Sequence, residues 1–63
     1  MSEKILKLPD VMAITGLSRS SIYALIQNDA FPIQINLGER SVGWLETEID
    51  IWIQQKVKQR RVK

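Results

Sequence analysis

The sequence predicts a mainly α fold with a small β-hairpin: a winged helix-turn-helix in the order helix, turn, helix, two-stranded wing, helix. Three observations predict it. Two short stretches with helical spacing of apolar residues meet at Gly16; the apolar period drops to two after Phe31; and helical spacing returns at Glu46, with acids leading and cations trailing. A single domain takes in all 63 residues, with 1–7 as a lead-in and 58–63 as a basic tail.

Residues 1–7 read as loose or extended, although Ile5 and Leu6 are apolar enough to fold back over the core. The first helix starts at Leu8. Pro9 suits the first helical position, where its missing amide is not needed, and Asp10 complements the positive end of the helix dipole. Val11, Met12 and Ile14 supply apolar contacts, and Gly16 ends the helix after barely two turns. A helix that short persists only by packing.

The stretch TGLSRSSIYALIQ, 15–27, closes one helix and launches the next. Ser18 is an N-cap able to accept from the amide of Ser20 or Ser21, while Leu17 and Ile22 are spaced as a hydrophobic staple. The second helix then runs from Arg19 to Gln27 or Asn28. At about 100° per residue, Ile22, Leu25 and Ile26 face one side; Arg19, Ser20, Tyr23, Ala24 and Gln27 face the other. That outer face carries hydroxyls, a guanidinium and an amide, the groups that meet phosphates and base edges in a major groove. Two short helices joined by a tight glycine turn form the helix-turn-helix unit, whose second member is the one expected in the groove.

Ile33, Ile35 and Leu37 alternate with Gln34 and Asn36, a half-buried strand with Pro32 at its entrance. A second strand covers Val42 to Leu45. Between them LGERS contains the Gly38 that a tight turn requires, with Arg40 near the tip and Ser41 beside it. An exposed arginine there suits a phosphate or a minor groove.

The third helix starts near Glu46. Glu46, Glu48 and Asp50 at its beginning, with Lys56, Lys58, Arg60 and Arg61 at its end, complement the helix dipole, so these acids are structural rather than catalytic. Ile49, Trp52, Ile53 and Val57 share a face expected to close the core, and Trp44 adds bulk from the hairpin; Ile51 falls on the opposite side.

A chain this small buries only about 60% of its unfolded surface and has little room for a catalytic cleft. It lacks cysteine and histidine, so disulfides, common zinc sites and thiol or imidazole catalysis are excluded; no metal, cofactor or enzymatic activity is expected. There is no apolar run of the roughly 20 residues that cross a bilayer, and no signal-like core at the start; the expectation is a cytoplasmic protein without membrane contact. The net charge of +2 divides unevenly. Residues 1–53 hold four cations against seven acids, −3, whereas 54–63 hold Lys56, Lys58, Arg60, Arg61 and Lys63 without an acid, +5. Such a tail either neutralises phosphates or solubilises the chain. The acidic body also fits an adaptor that contacts another protein through the same fold.

The series KLPDV, TGLSRSSIYALI, Phe31-Pro32, LGERSVGWLETEIDIWI and a basic tail resembles the AlpA family of phage-type regulators, which is similar to excisionase-like and MerR-like winged-helix domains. The resemblance spans residues 6–57. It implies a sequence-specific double-stranded DNA-binding regulator of a prophage or integrative element that controls integrase or excision genes. An excisionase-type recombination directionality factor is the alternative, and an integrase or further copies of the chain are implied as partners. Carried over by motif, Ser18, Arg19, Ser20 and Tyr23 take the recognition-helix positions and Arg40 the wing position, while Gln27 and Ser41 join them from the face and turn described above. Where the family often has a basic residue after Tyr23, this chain has Ala24, which shifts recognition toward Arg19 and Gln27 or toward the tail.

Overall fold

A computed structural model describes residues 4–60. Its elements are β1 (Ile5–Lys7), α1 (Leu8–Thr15), α2 (Arg19–Gln27), β2 (Ile35–Gly38), β3 (Ser41–Leu45) and α3 (Glu46–Gln59). Three helices and the β2–β3 hairpin form the expected winged helix-turn-helix. The wing, however, is part of a three-stranded antiparallel sheet in the order β1-β3-β2. The third strand comes from the lead-in: Leu6 pairs with Trp44 and Lys7 with Gly43. Pairing buries the Leu6 side chain, which is why this segment is ordered rather than loose.

The helix-turn-helix is locked by local hydrogen bonds. The Lys7 amide donates to the Asp10 carboxylate at 3.4 Å at the start of α1. Gly16 takes the left-handed conformation, φ 73°, and its amide donates to the Met12 carbonyl at 2.8 Å. Thr15 Oγ1 donates to the Val11 carbonyl at 2.7 Å and accepts from the Leu17 amide at 3.2 Å, tying both sides of the turn. Ser18 caps α2 by accepting from the Ser21 amide at 3.1 Å. At the far end of α2, Asp29 is left-handed, φ 55°; Ala30 donates to the Leu25 carbonyl at 2.8 Å and Asp29 to the Ile26 carbonyl at 3.1 Å, a Schellman closure.

That closure aims Phe31 into the core, beside Leu6, Val11, Ile22, Trp44 and Ile49. Phe31 meets both tryptophans edge to face, at 6.2 Å from Trp44 and 4.9 Å from Trp52. Each indole N–H finds a carbonyl: Trp44 donates to Pro32 at 2.8 Å and Trp52 to Ala30 at 2.7 Å. The 30–32 segment is thus held by two tryptophans instead of continuing as strand, and β2 begins only at Ile35. Ile33, read as an inward strand residue, is 71% exposed. A bulge at Leu37, between the Asn36–Val42 and Gly38–Ser41 pairs, bends the wing. Gly43 lies where the sheet leaves no room for a side chain, since a Cβ there would stand 2.6 Å from Ile5 Cγ2 and 3.0 Å from the Leu6 carbonyl.

Leu37, read with Ile33 as an inward strand residue, is likewise exposed at the bulge, and two apolar expectations on the helices are also corrected. Ile14 is half exposed because α1 presents Leu8, Val11 and Met12 to the core, and Ile14 lies off that stripe. Val57 is exposed because α3 meets the core through Ile49, Trp52 and Ile53 and then runs past it.

Candidate nucleic-acid interface

The start of α2 and the tip of the wing face a common hollow. Arg19 opens α2, and its guanidinium sits 6.0 Å from the centre of the Tyr23 ring one turn on, which aligns the two side chains. Across from them the wing turns through Glu39 and Arg40. Arg40 is left-handed, φ 64°, a conformation that favours glycine. An arginine at such a position carries conformational strain.

Arg19, Tyr23, Arg40 and Ser41 all line this concavity of about 560 Å³, together with Lys7. Three cationic side chains therefore border one hollow, and among the described residues no acid does. With the Tyr23 ring and the Ser41 hydroxyl between them, they provide charge-assisted donors to a polyanion and a flat surface against sugar or base. Lys7 was not among the residues singled out in the sequence. Its approach depends on the Lys7–Gly43 pairing, two residues from Ser41 on β3, and a three-residue strand has no signal beyond the apolar Ile5 and Leu6.

The other proposed contacts are placed differently. Ser20 and Gln27 are exposed on α2 but do not line the hollow. Ser18 is likewise exposed; its hydroxyl already accepts from the Ser21 amide and donates to Ser21 Oγ at 3.0 Å. Of the basic tail, Lys56, Lys58 and Arg60 belong to α3 or its end and do not line the hollow. The Lys56 ammonium sits 5.4 Å over the Trp52 ring instead. Arg61 and Lys63 lie outside the described residues. Among the described residues no group of three or more acids could hold a metal ion, and no helix is long and apolar enough to cross a membrane.

A family model described as Prophage CP4-57 regulatory protein (AlpA) matches residues 4–57, a span that contains every residue of the hollow. The chain belongs to the AlpA family. Among similar proteins is the uncharacterized protein ORF88 of Enterobacteria phage P4, 42% identical over 59 residues, covering 94% of this chain and 67% of that protein. Another is the DNA-binding transcriptional activator AlpA of Escherichia coli, 41% identical over 61 residues and 87% of each chain. Lys58 and Arg60 fall beyond the segment matched by the AlpA model.

Proposed function

We propose that this AlpA-family chain binds double-stranded DNA sequence-specifically in the cytoplasm and regulates genes of a prophage or integrative element, with integrase and excision genes as targets. The observation that carries the reading is the hollow, lined by no acid among the described residues, in which Lys7, Arg19 and Arg40 converge, within a body whose residues 1–53 are otherwise net acidic. Cations gathered on one face of such a body select where a polyanion lands.

In this reading α2 enters the major groove, and Arg19, Ser20, Tyr23 and Gln27 meet base edges. Arg40 and Ser41 follow the neighbouring backbone or minor groove, Lys7 adds a phosphate contact and Ser18 anchors the start of the helix. A single module of this kind covers roughly 600–1,000 Å², so useful occupancy depends on paired sites or a bound integrase. The relative named as a DNA-binding transcriptional activator supports the same assignment.

Footprinting on DNA that spans the chain's own promoter and the attachment region of its element tests the proposal. Discrete protected sites that disappear when Arg19 and Arg40 are replaced by alanine are expected. Uniform or absent protection, or retention of all regulatory activity by the doubly substituted chain, would instead indicate an adaptor that works through protein contacts.

A further inference from the structure

The outward surface of α3 is patterned about Gln54. Equal steps away from it, Ile51 matches Val57 and Asp50 matches Lys58; Glu48 and Arg60 repeat the opposite signs farther along α3 but on its flanks, Arg60 lining a shallow hollow with Ile14, Trp52 and Ile53. All of these residues are exposed, Ile51 at 57% and Val57 at 44%. At about 100° per residue, Asp50, Gln54 and Lys58 run as a stripe along the face turned away from the core residues Ile49, Trp52 and Ile53, with Ile51 on one flank and Val57 on the other, where Val57 lines the same shallow hollow as Arg60. Among the described residues, no ion pair engages the charged members of this pattern.

We propose that this stripe is a docking surface for a second copy of the chain, with the two α3 helices side by side and antiparallel about a two-fold axis at Gln54. Charge complementarity selects both the occupant and the direction. Antiparallel, the acidic first half of each helix lies along the cationic second half of its copy, with Asp50 level with Lys58 and Ile51 level with Val57. In the parallel arrangement each sign meets itself. A two-fold contact is self-complementary, so one stripe serves both partners, and flanking charges of this kind set helix orientation.

The size of the contact sets its strength. α3 has 14 residues and is roughly 21 Å long. A contact confined to one face of such a helix falls below the about 1,200 Å² of stable complexes, so the pair forms reversibly and weakens with salt. Lys7, Arg19 and Arg40 lie on other elements, which leaves their hollow open in the paired form.

Sedimentation equilibrium of the whole chain without DNA tests this independently of the proposed function. The mass is expected to rise with concentration from 7.3 kDa toward twice that value, less so at high salt. Ile51→Glu, at an exposed position, should weaken association about tenfold. An acidic variant (Lys58→Glu) and a basic variant (Asp50→Lys), each checked for folding by circular dichroism, should be monomeric alone and associate when mixed. A mass fixed at 7.3 kDa up to about 1 mM would overturn the proposal. So would an acidic variant that self-associates like the unsubstituted chain, or a mixture that stays monomeric.

Discussion

Replacing Arg40 by glycine should move stability and DNA binding in opposite directions. Arg40 is held at φ 64° in the wing turn, where an L-residue incurs about 1–2 kcal/mol that glycine avoids. Against this, glycine loses more backbone freedom on folding, about 0.5–1 kcal/mol. The difference favours the glycine variant by about 0.5–1 kcal/mol. In a domain of this size that raises Tm by about 2–8 °C. The same change removes one of the three cations around the hollow, so the slope of log affinity against log salt should fall by about 0.9. Thermal melting followed by circular dichroism reads the first effect, and anisotropy titration of a footprinted duplex at several salt concentrations reads the second. A lower Tm would refute the strain argument; an unchanged slope would refute the phosphate role of Arg40.

Four further substitutions separate the local arguments. Ser18→Ala removes the acceptor of the Ser21 amide and should cost about 1 kcal/mol, lowering Tm by about 4–8 °C. Asp29→Gly should raise Tm, since Asp29 closes α2 in a left-handed conformation that glycine adopts freely. Gly43→Ala places a methyl 2.6 Å from Ile5 Cγ2 and 3.0 Å from Leu37 Cδ1 and the Leu6 carbonyl, so the Ile5 side chain and β1 must shift; a loss of about 1–3 kcal/mol in urea unfolding, with faster amide exchange in β1, is expected. Lys7→Gln, at an exposed position, should change stability by no more than about 0.5 kcal/mol while reducing the salt slope by about 0.9.

The elements most legible in the sequence are those fixed by local chemistry. Gly16, Ser18 and the staple pair Leu17 and Ile22 define the helix-turn-helix without reference to distant residues, and the structure has the expected glycine turn and cap. The acidic start of α3 is equally local. What sequence periodicity missed depends on long-range partners. β1 is extended because Leu6 finds Trp44, and Lys7 reaches the wing only through that pairing. Ile33 fits a strand pattern, yet the Trp44 and Trp52 indoles hold the carbonyls of Pro32 and Ala30 and delay the strand to Ile35. Val57 obeys helical spacing but lies past the end of the core, a limit set by packing rather than by period. In the candidate site, Arg19, Tyr23, Arg40 and Ser41 are legible because a capped helix and a hairpin tip are each local features. That they share one hollow follows only from the way the sheet docks.

The salt dependence of DNA binding tests the central claim most directly, comparing the unsubstituted chain with a folded triple variant, Lys7→Gln, Arg19→Gln and Arg40→Gln. If Lys7 and Arg40 seat the DNA backbone while Arg19 reads base edges, binding by the unsubstituted chain should favour the footprinted sequence and the slope should fall by at least about 1.8 in the triple variant, two phosphate contacts at about 0.9 each. An unchanged slope together with unchanged affinity would contradict the assignment of this hollow as the DNA-binding face.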